Sequence, residues 1–104
     1  MPRYVLIALN SPTRGDGDEA EYNDWYNRTH KADLLKVDGS RSVRRFKAIH
    51  RNRIDEDYVS ITEIDAANPD AVMQQLAERA SEITEKMDRT SSVFILAEEL
   101  DTTV

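Results

Sequence analysis

His30 follows Tyr26 by four residues and Tyr22 by eight, with Trp25 and Thr29 between them. On a helix that spacing places one imidazole on a face made of aromatic rings. An imidazole titrates near neutrality, so it can take a proton from an activated carbon or phenol and return it. His30 is therefore the candidate general acid–base; the alternative is a histidine at a helix end, bonded to nearby backbone. Asp33, three residues on, either orients that ring or caps the next turn. Tyr22, Trp25 and Tyr26 are either core packing or the wall of a pocket. Of the three, Tyr26 or Trp25 is expected to meet a ligand and Tyr22 mainly to pack.

Arg44 and Arg45 are neighbours in a stretch that alternates, and neighbours on a strand face opposite ways. One of them points inward unless the strand is at an edge, and a buried guanidinium needs an anionic partner. That partner is either a carboxylate such as Glu63 or a substrate anion. Tyr58, Ser60 and Thr62 share one face of a later stretch, as a pocket wall or a solvated strip. The candidate catalytic residues are thus His30 and Asp33, and the candidate substrate-binding residues are Tyr22, Trp25, Tyr26, Arg44 and Tyr58. His50, beside Arg51 and Arg53, reads as surface.

The elements that must position these residues come in a clear order. Tyr4–Leu9 is a continuous apolar run, the pattern of a central strand buried on both faces. Pro12, Gly15 and Gly17 make a loop, and Asp18 with Glu21 has the form of a capping box. A helix follows from about Glu19 to Thr29, and Leu34, Leu35 and Val37 extend its apolar stripe until Gly39 stops it. Arg41–Ile49 and Tyr58–Ile64 are strands joined by a polar hairpin loop. Asn68-Pro69-Asp70 opens a second helix. Its stripe of Val72, Leu76, Ala80, Ile83 and Met87 carries it to near Arg89, and Ser92–Leu96 is the last strand.

The order β-α-β-β-α-β with right-handed crossovers gives an α+β, ferredoxin-like fold: a four-stranded antiparallel sheet with both helices on one face. The other face, with Val5, Ile7, Val43, Val59 and Ile61 assigned to it, then lacks cover. A second copy packing sheet to sheet would supply it, so a homodimer is expected. Residues 1–104 are read as one domain. A core this small gives marginal stability, and pairing with a second copy is a common remedy.

Composition narrows the function. The formal net charge of -6 argues against nucleic acid, whose phosphates repel an acidic chain. The charge is uneven, because residues 28–53 carry nine lysines and arginines against two aspartates. That is a solvated basic face or a local well for a carboxylate or enolate. There is no cysteine, and the two histidines are far apart, so neither a zinc site nor a disulfide is expected. The sparse acidic loop at Asp16–Asp18 lacks the later ligands of a calcium loop, and no glycine-rich phosphate loop follows a strand. The longest apolar run is too short for a membrane span, and a soluble, cytoplasmic protein is expected.

Residues 24–46, DWYNRTHKADLLKVDGSRSVRRF, resemble the motif of the EthD-like group of the dimeric α/β-barrel superfamily. The shared features are a Trp-Tyr pair, Thr-x-His, Asp-Leu-Leu, a turn with glycine, and a strand with paired arginines and an aromatic. Two features depart from it: Ala32 stands where a proline is common, and Asp38 precedes Gly39 where Pro-Gly is common. The resemblance implies a small enzyme without metal or organic cofactor, acting on an aromatic, polyketide-like or lactone molecule in a pocket between the first helix and the sheet. Isomerase, cyclase, lyase and cofactor-free monooxygenase all fit it. The competing reading is a dimer that binds a small molecule, or serves in stress, without catalysis. A ligand-sized cavity reached by His30 favours the first; Trp25 and Tyr26 filling that space favours the second.

Overall fold

A computed structural model describes residues 2–78 and 83–100. Strand β1 (Arg3–Asn10) leads to α1 (Asp18–Trp25), a π-helical turn (Tyr26–His30) and α2 (Lys31–Leu35). Strands β2 (Ser40–Lys47) and β3 (Tyr58–Asp65) form the hairpin, and α3 (Pro69–Glu78) and β4 (Val93–Glu98) complete the order. The sheet is antiparallel with strand order β2-β3-β1-β4, as the ferredoxin-like reading requires.

Both helical layers cover one face of this sheet. Tyr22, Tyr26 and Leu34 pack on Leu6, Val43 and Tyr58 at one end, and Val72 with Val37 packs on Tyr4 and Ile64 at the other. β3 shows the cleanest alternation: Tyr58, Ser60, Thr62 and Ile64 are buried and the residues between are not. β1 was expected to be buried on both faces, yet within one chain it alternates too, with Tyr4, Leu6 and Asn10 covered and Val5, Ile7 and Leu9 only half-buried. Its second face belongs to an apolar band in which Ile7 lies between Ile61 and Ile95, and Leu9 between Val59 and Val93. Val93 and Ile95 are more than half exposed on that band, and Phe46 is exposed as well. Val43 is not part of it, contrary to the sequence reading. It pairs with Thr62 and faces the helices, 4% exposed, because strand parity ties it to the buried set of β3.

The helix ends follow local chemistry. Gly17, at φ 78°, is the N-cap of α1, and no side chain caps the helix there. The expected capping box is therefore absent: Asp18 is the first helical residue and turns its carboxylate back to accept from Thr13 (2.6 Å) and the Gly15 amide (3.0 Å). Lys86 Nζ lies 3.2 Å from the same group. Asn68 caps α3 as expected, its Oδ1 accepting from the Ala71 amide at 2.9 Å. Asn68→Ala should cost about 1 kcal/mol in urea unfolding, and Asn68→Asp should restore most of it.

The second helix ends earlier than its apolar spacing suggested. Ala80 lies outside the described residues. From Thr84 onward the chain is extended or turned: Met87 bridges Pro12, the Asp88 amide donates to the Ser11 carbonyl, and Thr13 donates to Lys86. Asp88 Oδ1 accepts from both the amide and the hydroxyl of Thr90, a side-chain turn that competes with helix. Ile83 and Met87 still reach the core, but from this segment rather than from a helix.

Candidate active site

The π-helical turn determines how His30 meets its neighbours. The Lys31 amide donates to the Tyr26 carbonyl, a step of five residues where an α-helix takes four. In an α-helix residues five apart stand about 140° apart around the axis. Widening the turn brings Trp25 and His30 together, and their rings stack at 4.7 Å and 16°. His30 also meets the edge of Tyr26 at 4.9 Å. Single π turns are rare and recur at functional sites, where they re-aim one side chain.

His30 and Tyr26 line a cavity of about 530 Å³ between the first helix, α3 and the sheet. Its walls are mostly apolar, with Leu6, Leu34, Leu76 and Met87 among them. Asn10, Tyr26, His30 and Ser60 provide polar groups, and Arg89 and Ser92 also border the space. Burial pushes the His30 imidazole down to about 4; the Asp33 carboxylate opposes that shift and the Arg45 guanidinium adds to it. The ring is therefore neutral at neutral pH and can accept a proton or hydrogen-bond a ligand without carrying charge into the cavity.

The other expected site residues fall around this wall. Tyr22 is fully buried behind it, packed against Trp25, Tyr26 and Tyr58, with its hydroxyl donating to Asn10 Oδ1. Trp25 backs the imidazole rather than lining the space. Tyr58 turns its hydroxyl away toward the first helix, accepting from Asn23 at 3.0 Å and donating to Glu19 at 2.8 Å. Asp33 forms an ion pair with Lys36 at 3.6 Å and acts on His30 through its charge.

Arg44 is not at the cavity. It pairs with Ile61 on the far face of the sheet, its guanidinium over the Phe46 ring. Arg45 is the inward member, because it pairs with Ser60 on the helix side. It is not matched with Glu63, which stands on the far face opposite Val5 and Ser42. Its guanidinium lies 4.2 Å from the Tyr26 ring centre and within 5.5 Å of those of Tyr22 and Tyr58, and it donates to Asn23 and Asn27. Three ring faces and two amide oxygens take the place of the expected anion. Arg28, Arg41 and Arg51 form surface ion pairs with Asp24, Asp65 and Asp57, so much of the basic segment is a solvated face.

Asn10 escaped the sequence reading as a site residue, and Ser60 entered it only as part of a strip read as pocket wall or solvated face; both line the cavity. Their signal was parity: each shares the inner face of a strand with core residues, and a polar group there is either satisfied or aimed at a ligand. Among the described residues no three histidine, aspartate or glutamate side chains gather as a metal site, and no helix is long and apolar enough to cross a membrane.

No protein-family model matches the chain, and no curated protein matches it in sequence. Solved structures match its fold. An EthD family protein of Bacillus halodurans superposes with a TM-score of 0.62 at 12% identity, covering 96% of this chain and all of that one. A protein of Shewanella loihica, proposed to be a monooxygenase, gives 0.63 at 14% identity, covering 98% and 99%. SnoaB, a cofactor-independent oxygenase of Streptomyces nogalater, gives 0.54 at 16% identity, covering 98% and 95%. The resemblance read from residues 24–46 thus holds for the architecture: this chain shares the α+β, ferredoxin-like fold of an EthD family protein and of a cofactor-independent oxygenase.

Proposed function

We propose that this chain is one subunit of a cytoplasmic homodimer, each subunit a single dimeric α/β-barrel domain, that works as a cofactor-independent enzyme. The substrate is a small aromatic, polyketide-like or lactone metabolite, held between the first helix and the sheet. One observation carries this reading: a neutral imidazole on the wall of an apolar cavity of about 530 Å³. The space is of ligand size and its walls are mostly apolar. His30 accepts a proton from an enolisable carbon or phenol and returns it at a second position. A ring with so depressed a pKa gives the proton back readily, and the substrate anion beside it stabilises the imidazolium while it lasts. Proton transfer that ends on carbon gives isomerase, cyclase or lyase chemistry. A carbanion able to reduce oxygen would instead give oxygenation, with the substrate supplying the electrons. Asp33 tunes the imidazole through its charge. The apolar band of Val93, Ile95 and Phe46 supports pairing with a second sheet.

The test has two stages. Phenols, quinones, β-dicarbonyls and lactones are screened by thermal shift, since a ligand that binds only the folded chain raises its melting temperature. Turnover of the binders is then followed in wild type and His30→Ala. The variant should keep the circular dichroism and the two-chain mass by light scattering while losing at least about a hundredfold in kcat. Unchanged turnover would remove His30 from the mechanism, and a one-chain mass for the wild type would remove the dimer.

A further inference from the structure

Two tyrosine hydroxyls give hydrogen bonds beside the cavity. The Tyr22 hydroxyl donates to Asn10 Oδ1. The Tyr26 hydroxyl donates to Ser60 Oγ at 2.7 Å. Ser60 is 3% exposed and borders the cavity. Its oxygen accepts from Tyr26, and among the described residues its own hydroxyl gives no hydrogen bond. A buried hydroxyl proton without a partner is costly, and the open direction is the cavity.

Resting on the enzymatic reading above, we infer that Ser60 donates a hydrogen bond to the substrate oxygen that becomes an enolate or phenolate, with Tyr26 as the donor behind it and Arg45 as the cation that polarises the array. The geometry gives each member a distinct task. Ser60 touches the substrate. Tyr26 strengthens the Ser60 donor, since a hydroxyl that accepts a hydrogen bond gives its own proton more strongly. Arg45 stays out of the cavity and acts as a positioning residue: it lies 4.2 Å from the Tyr26 ring centre and is anchored by Asn23 and Asn27. Its positive charge favours negative charge arriving at the end of the chain, without placing a solvated cation among apolar walls. His30 lines the same cavity and meets the Tyr26 ring, so the proton acceptor and the oxygen-binding donor border one space. The substrate class this fits is one with a single ionisable oxygen on an otherwise apolar body, conjugated to the carbon or hydroxyl that His30 deprotonates.

The test uses the intact protein and two probes that differ at that oxygen. One is 4-nitro-1-naphthol, at a pH where it is the coloured naphtholate; the other is 1-nitronaphthalene, which has the same nitro-substituted rings without the ionisable oxygen. Both dissociation constants are measured for wild type, Ser60→Ala and Tyr26→Phe, the last keeping the ring and removing only the hydroxyl. Ser60→Ala should weaken the naphtholate by about tenfold or more and leave 1-nitronaphthalene within about twofold. Tyr26→Phe should weaken the naphtholate selectively by about threefold to tenfold, and it decides the matter should Ser60→Ala fail to fold. An unchanged ratio of the two affinities in both variants overturns the role of Ser60 while leaving the enzymatic reading in place. If neither probe binds the wild type, this inference falls, and the enzymatic reading then stands or falls on the thermal-shift screen and the turnover of His30→Ala.

Discussion

Gly39→Ala should lose at least about 3 kcal/mol of stability, the scale of change expected when backbone is forced against backbone in a packed region. Gly39 lies between α2 and β2 at φ 83°, where a side chain is already strained. A Cβ built there would lie 1.8 Å from the Asp65 carbonyl oxygen and 2.9 Å from its carbonyl carbon. These atoms cannot rotate away, because the Asp65 amide donates to the Gly39 carbonyl at 2.9 Å and holds the two backbones together. Asp65 also receives Arg3 and Arg41, at 3.0 and 2.8 Å, so pushing it aside disturbs the ends of β1 and β2 together. Gly17 is the internal control: it has nearly the same φ, 78°, with nothing within 4 Å of its would-be Cβ. Gly17→Ala should therefore cost only about 1–2 kcal/mol, the left-handed strain alone. Urea unfolding of both variants separates the effects, and equal losses would show that the contact with Asp65 is relieved by a small shift.

Much of this architecture was legible because it depends on patterns with a fixed period. The alternation of β3 and the Asn68-Pro69-Asp70 start each have one structural solution, and both appear at the expected places. The failures come where a second interaction competes with the period. Ile83 and Met87 continue the spacing of a helix, but Asp88 binds Thr90 and the backbone at 86–88 pairs with 11–13, so the apolar side chains reach the core from an extended segment. Val43 was assigned to the open sheet face because it is apolar. Yet Val43 and Arg45 share parity, and together they pair with Thr62 and Ser60 on the covered face.

The candidate site was legible in its chemistry more than in its geometry. The sequence alone brings His30 and Tyr26 to one face, and both line the cavity. That an arginine would point inward follows from the adjacency of Arg44 and Arg45. Which one could not be chosen without the pairing to β3, and three tyrosine faces as its surroundings had no signature in spacing. The π-helical turn has no signal in this sequence either: no proline or glycine lies within residues 18–38. The widened turn permits the Trp25–His30 stack.

The buried imidazole should leave its mark on acid stability. An unfolded chain takes up the His30 proton near 6.5, its ordinary value, whereas the folded chain resists until about 4. Between those limits the unfolded state holds more protons, so stability falls as pH falls, by about 1.4 kcal/mol per pH unit and about 3 kcal/mol in all. Above 6.5 the ring is neutral in both states and adds no slope; below 4 it is charged in both. Asp65 acts in a separate window: hydrogen bonds from Arg3 and then Arg41 hold its carboxyl at about 2, so its contribution is lost only as pH falls from 3.8 toward that value. Urea midpoints measured across this range should show the upper slope in wild type and lose it in His30→Gln, while the lower one remains. A slope between pH 6.5 and 4 that survives His30→Gln would place its source elsewhere. The same experiment bears on chemistry, because an anion bound beside the ring favours the imidazolium and moves the upper limb to higher proton affinity in the folded state. In the upper part of that limb, where the probe is still ionised, saturation with the naphtholate should therefore flatten it in wild type, and saturation with 1-nitronaphthalene should not. A flattening common to both probes would mean that filling the cavity, rather than charge at the oxygen, controls the proton on His30.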